Sequence, residues 1–257
     1  MEELEMVQDP DPGNTRRIRL ARVVAGFFCL VALVPMYGLI DLGTLLGWAN
    51  PEYVWAVPLE SSWGALFTFS IGSALGWIAL WPARSRTALV QLATVTGAVL
   101  LCALVWWEQG PWWVGLTVGV VTAALAWLLR GHLVPAPVSA TAWPRLVWAL
   151  LGVVLWAPAA WGAFQHSLSA APEELEITND VDHWPIHAAV ALLLILLPFL
   201  LVRRRESERL VLLSVGLSAS WIGMAMLAFP DRAGVVLSTA AGAAMVLWVL
   251  AGALLKR

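Results

Sequence analysis

Residues 184–202 read WPIHAAVALLLILLPFLLV and run straight into Arg203, Arg204 and Arg205. A helix rises about 1.5 Å per residue, so this stretch covers roughly the ~30 Å hydrocarbon layer of a bilayer. Its one ionisable side chain, His187, sits at its start. The rest of the chain has the same character: of 257 residues 60% are hydrophobic and 12% charged, and the mean hydropathy is +0.79. A soluble domain carries about 25% charged residues. So few charges cannot cover a water-facing surface, whereas a helix facing lipid needs none.

Seven more runs have the length and apolarity of a span: 20–43, 63–82, 87–107, 112–130, 145–164, 209–228 and 234–254. The fold class expected is an all-α integral membrane protein with about eight transmembrane helices.

Arginine placement orients it. Arg16, Arg17, Arg19 and Arg22 precede the first run, Arg84 and Arg86 follow the second, and Arg130 and Arg145 bound the loop after the fourth. Arg203, Arg204, Arg205 and Arg209 follow the sixth, and Lys256 and Arg257 the eighth. An even span count puts 14 of the 15 basic residues on one face, with Arg232 opposite. The positive-inside rule makes that face cytoplasmic, with both termini inside a cytoplasmic (inner) membrane. The opening MEELEMVQDPDPGNTRR is acidic before it is basic and carries Pro10 and Pro12, so it reads as a cytoplasmic tail (1–18) and not as a secretory signal.

The pattern divides into a first half (19–130), a cytoplasmic linker (131–144) and a second half (145–257), each with four spans. An offset of 121 aligns Trp63 with Trp184, Arg84 with Arg205, and Leu89-Val90 with Leu210-Val211. Four spans per half keep the orientation, so a duplication here is a parallel repeat. Gly72 with Gly76, and Gly115 with Gly119, form G-x-x-x-G pairs suited to close helix packing within the monomer. The two cysteines, Cys29 and Cys102, fall at different depths and read as free buried thiols. The oligomeric state stays open.

Most of the 17 tryptophans fall near expected span ends, where amphipathic indoles collect. Trp48, Trp55, Trp63, Trp106, Trp107, Trp112, Trp113, Trp161 and Trp184 fall on the outer side, and Trp81, Trp127, Trp143, Trp148 and Trp248 on the inner. No run carries an ionisable residue near its middle, which argues against a proton pump built on a midplane carboxylate. Deep polar groups are hydroxyls and one amide, including Ser70, Ser73, Gln91, Thr94, Thr117, Ser214 and Ser218, and are expected to bond backbone or a neighbouring helix.

Chemistry concentrates at the outer boundary. The stretch DVDHWPIH holds Asp182 as a helix cap and Pro185 in a first turn, and places His183 and His187 four apart on one face. His166 can approach as a third nitrogen, but a zinc site needs three or four ligands, so no metal is favoured. Asp41, Glu60 and Asp182 are the candidate acids, since a poorly solvated carboxyl beside aromatics holds its proton. Trp55, Trp63, Trp106, Trp107 and Trp184, with Glu108, are candidates to wall a pocket for a lipophilic or cationic ligand.

No nucleotide loop, metalloprotease helix, nucleophile elbow or C-x-x-C occurs, and neither charge nor motif points to nucleic acid or a cofactor. The expected partners are membrane lipids and a small lipophilic or cationic molecule. Three readings follow. One is a transporter-like protein binding that molecule at an outward pocket between the halves. The second is a membrane enzyme acting on a lipid or isoprenoid, and the third a non-catalytic subunit or assembly factor. A cavity ringed by the acids and histidines separates the first two from the third.

Overall fold

The computed structural model describes residues 12–50, 52, 54–107, 109–134, 141–169, 182–203, 208–235 and 237–255, and every regular element among them is a helix.

The first expected span is a helix broken in two. Helix α1 (Pro12–Leu33) stops before Pro35, which lacks an N–H and whose ring would strike the carbonyl four residues back. Met36 and Tyr37 turn the chain, Tyr37 with a left-handed φ of 58°. Helix α2 (Gly38–Gly43) then continues into a 3-10 turn, Thr44–Ala49, and the axis is bent by 43°. Two indoles from elsewhere fix this segment. Trp63 Nε1–H donates to the Met36 carbonyl at 2.9 Å, and Trp221 Nε1–H to the Leu42 carbonyl at 3.0 Å. Gly38 is required here, because a Cβ would lie 2.6 Å from the Ala32 carbonyl oxygen.

Helix α3 (Val57–Leu80) starts six residues before the expected 63. Pro58 sits in its first turn, where a missing N–H costs nothing. Glu60, Ser61 and Ser62 therefore belong to the helix and are buried in it, and do not precede it as expected.

The middle of α3, Ala65–Gly72, is wound as a π-helix. Its carbonyls accept bonds from side chains: Cys29 Sγ donates to Gly72 (3.3 Å), Gln91 Nε2 to Ser70 (2.8 Å), and Ser73 to Phe69. Gln91 Nε2 also donates to Ser214 Oγ at 2.8 Å, and Ser214 lies 3.0 Å from Ser73 Oγ. The directions are fixed. Ser73 gives its proton to Phe69, so Ser214 accepts from Gln91 and donates to Ser73. Gln91→Leu is expected to cost about 1–2 kcal/mol of stability, because it strands the Ser70 carbonyl inside the bundle. Thermal unfolding in detergent, with Thr94→Val as a reference that loses only a bond to its own helix, measures it.

The remaining helices are α4 (Arg86–Trp106), α5 (Gln109–Leu129), α6 (Trp143–Ser167), α7 (Trp184–Arg203), α8 (Glu208–Ala228) and α9 (Thr239–Leu254). Trp107, left-handed at φ 56°, ends α4 at the tight turn into α5. Among the described residues six helices are long and apolar enough to cross a membrane, and α1 with α2 makes a seventh if the bent pair is one span. The helix set is that of a multi-pass, membrane-embedded protein. Where an eighth span is expected, 234–254, the structure has the 16-residue α9, about 24 Å long and shorter than those six. It is short because the chain before it folds over the start of α3: Gly234, at φ +97°, sits where a Cβ would lie 2.7 Å from Leu59 N.

Helices α3 and α7 lie at the centre. Helix α1 packs on α3 and α5, α4 on α5 and α7, α6 on α7 and α9, and α8 on α3, α7 and α9. Both G-x-x-x-G pairs face the same chain: Gly72 and Gly76 approach Leu33 and Cys29, and Gly115 and Gly119 approach Leu100 and Thr96.

The tryptophans divide. Trp48, Trp55, Trp81, Trp107, Trp113, Trp127, Trp143 and Trp161 are exposed, as a belt requires. Trp148 and Trp248, expected in the inner belt, are instead buried and stack at 4.7 Å. Each donates its indole N–H to the other's carbonyl at 2.9 Å, and each covers a glycine of the opposite helix, Trp148 over Gly252 and Trp248 over Gly152. The two thus clasp α6 to α9.

Candidate functional site

The first turns of α3 and α7 meet at one end of the bundle, and their polar side chains meet there. Glu60, on the first turn of α3, is only 3% exposed. Its Oε2 lies 3.6 Å from Nδ1 of His183, the residue before α7, and its Oε1 has no hydrogen-bond partner among the described residues. His183 Nδ1 has none either. At 3.6 Å the two side chains face each other without a hydrogen bond.

Burial pulls the His183 imidazole down to about 4 from its ordinary 6.5, so at neutral pH the ring is uncharged and the contact is not an ion pair. The ring stacks on Trp63 at 4.5 Å and 23°. One turn on, His187 is buried and its Nδ1 lies 2.6 Å from Ser62 Oγ, which also donates to the Pro58 carbonyl at 3.2 Å. With the Ser62 proton engaged by Pro58, His187 presents Nδ1–H to Ser62.

Trp184 separates the histidines. It stacks on His166 at 5.0 Å and 9°, and meets His187 edge-on at 6.0 Å. Asp41, on α2, is buried and close enough to Glu60 for their charges to interact. Asp182 has a different role. Its Oδ1 accepts the Trp184 N–H at 2.9 Å and its Oδ2 the Ser167 hydroxyl at 2.8 Å, capping α7 and tying it to the end of α6. Burial raises its carboxyl above the ordinary 3.8, against the pull of those two bonds.

The structure thus gathers Glu60, His183, His187, Trp63 and Trp184, with Asp41 and His166 at the margin. It does not gather the rest. Trp107 is 78% exposed at the α4–α5 hairpin, and Trp55 is exposed on the loop before α3. Trp106 is half-buried and packs edge-on against Phe164. Glu108 lies outside the described residues. Among the described residues no three histidines, cysteines or carboxylates are placed to hold a metal, His166, His183 and His187 included.

Sequence reasoning missed two features. Ser62, the partner of His187, was not singled out; two adjacent serines directly after an acid were the available signal. The break in the first span was signalled by Pro35 followed by Gly38.

An apolar cavity of about 170 Å³ opens beside the cluster, between α1, α3, α4 and α5. Its walls include Met36 and Phe67, which also hold Trp63, one by its carbonyl and the other by ring contact at 5.2 Å.

The chain matches no protein-family model, and no curated protein or solved structure matches it.

Proposed function

We propose that the protein binds a small lipophilic cation at the Glu60–His183 face, between the starts of α3 and α7, as a transporter-like membrane protein. The observation that carries this is the pair of unpartnered, buried polar atoms, Glu60 Oε1 and His183 Nδ1, on facing side chains beside the Trp63 ring. A buried polar atom without a partner costs about 1–3 kcal/mol. An ammonium group between the two would supply N–H donors to both and a positive charge to the carboxylate. Trp63 adds its ring face, which attracts cations.

The broken first span supports the transporter reading, because discontinuous helices bring irregular backbone to a binding site at membrane depth. The neighbour relations support two four-helix halves: α1–α3 and α4–α5 pair in one as α6–α7 and α8–α9 pair in the other. The crossed contacts, α4 on α7 and α8 on α3, also match under that exchange. The arginine distribution supports eight spans with both termini in the cytoplasm, which puts the Glu60 face outside the cytoplasmic membrane.

The test is equilibrium binding of radiolabelled phenethylammonium, a primary ammonium that carries the N–H donors, to the protein in lipid nanodiscs. Saturable binding is expected, at least tenfold weaker in Glu60→Gln and unchanged in Trp107→Phe. Binding by Glu60→Gln equal to that of the parent, or uptake that never saturates, refutes the reading.

A second reading, a membrane enzyme acting on a lipid or isoprenoid, is favoured by the apolar cavity whose walls Met36 and Phe67 also hold Trp63. It places an apolar chain in the cavity and a reacting group near Glu60. The same measurement separates the two, since this reading expects no saturable ammonium binding.

A further inference from the structure

At the arginine-rich end of the bundle a second groove, of about 390 Å³, lies between α6, α8 and α9. Its walls are Trp148, Leu212, Leu213, Gly216, Leu217 and Val249, and Arg209 stands at its end. We propose that this groove is a binding site for an anionic phospholipid, with the headgroup phosphate on Arg209 and one acyl chain laid along α8.

Three observations converge. The first is charge. Arg209 is exposed and makes no hydrogen bond or ion pair among the described residues. The adjacent acid, Glu208, is neutralised by Arg145 at 2.7 Å, and Arg145 is held in turn by the Leu201 carbonyl at 3.2 Å. Among the described residues nothing competes with a ligand for the arginine at the mouth, which a phosphate matches in sign and geometry.

The second is length. The groove follows α8 from Arg209 to Ser220, about 16 Å at 1.5 Å per residue. That is about half of a ~30 Å hydrocarbon layer, the depth of one leaflet. A lipid with its phosphate at the arginine fills it with one chain.

The third is access and shape. Leu213 and Leu217 are exposed, so the groove opens sideways, where acyl chains lie. Gly216 forms its floor: a Cβ there meets Val249 at an ordinary 3.4 Å, so a larger side chain at 216 must project into the groove. Trp148, locked by Trp248, gives it a rigid wall. A free anion would use the arginine but leave the apolar length unused.

The experiment offers the full chain in mild detergent an equal mixture of dioleoyl phosphatidylglycerol and dioleoyl phosphatidylcholine and counts retained lipids by native mass spectrometry. The two lipids share tails and differ in headgroup charge. Retention of one phosphatidylglycerol, preferred at least tenfold, is expected, with the preference lost in Arg209→Gln. In monodisperse Gly216→Leu neither lipid is expected to remain. Equal retention of the two lipids, a preference surviving Arg209→Gln, or a lipid still bound to Gly216→Leu each overturns the proposal.

Discussion

Gly242→Val is expected to separate α9 from α8 and lower the apparent melting temperature in detergent by about 10 °C, the equivalent of about 3 kcal/mol. Gly223 and Gly242 face each other at the closest approach of these two helices. A Cβ on Gly242 would lie 2.9 Å from the Gly223 carbonyl oxygen, and one on Gly223 2.8 Å from the Gly242 carbonyl oxygen. Both obstacles are backbone, so no side chain can rotate away, and the whole helix must move. That movement reaches the Trp148–Trp248 clasp on the other side of α9. Gly97→Val is the matched control, because nothing lies within 4 Å of a Cβ there. Equal melting of the two variants would show that the contact contributes nothing.

The second large effect is one of pH. His183 titrates near 6.5 in an unfolded chain and at about 4 in the folded one, because burial disfavours the imidazolium. The unfolded state takes the proton first as the pH falls, so stability is fully present above about 6.5 and declines between 6.5 and 4. The depression corresponds to a loss of about 3 kcal/mol once the pH is below both values. The groups facing His183 are the Glu60 carboxyl at 3.6 Å and the Trp63 ring, with Asp182 next to it in the chain. Asp182 acts in the opposite sense. Its raised folded value makes the native state hold a proton longer, so its contribution falls as the pH rises above 3.8. Melting temperatures between pH 7.5 and 4.5 are therefore expected to fall in the parent. In His183→Phe, which keeps a ring on Trp63 and leaves the buried His187 in place, the slope is expected to become shallower. A parental slope that persists in His183→Phe assigns the effect to another group.

Hydropathy located the helices it is able to locate. Spans α4 to α8 lie within a few residues of the apolar runs at 87–107, 112–130, 145–164, 184–202 and 209–228, because transfer to hydrocarbon sums over residues regardless of partner. The same sum cannot see a dihedral angle. Residues 20–43 are apolar but for Arg22 and Asp41, yet Pro35 withdraws an N–H and the chain turns at Tyr37. Nor can it see a loop that is apolar and not helical, as at Val235, which precedes α9 without joining it.

The candidate site was legible as far as topology alone brings residues together. Two spans that start at one face must carry Glu60, Trp63, His183 and His187 to the same depth. Which of them touch depends on helix rotation, and that is set by long-range packing such as Gly64 against Leu42, where a Cβ would lie 2.8 Å from Leu42 N. Trp107 shares that face and remains in the open for the same reason. Tryptophan composition is equally silent on burial, since a belt indole and a clasped one differ only in what waits across the bundle.

The clasp between α6 and α9 bears on how the chain is made. Trp148 enters the membrane a hundred residues before Trp248 is synthesised. Through that interval its indole N–H and carbonyl have no partner on α9, and headgroups and interfacial water are the groups able to serve them. Gly152 is likewise an open notch until the later indole arrives. Helices α6 to α9 can be inserted one by one, but they cannot be locked that way: closure waits for the stretch of chain around Trp248 and Gly252. Helix α9 thus works as a latch, which closes only when two notches and two indoles engage at once.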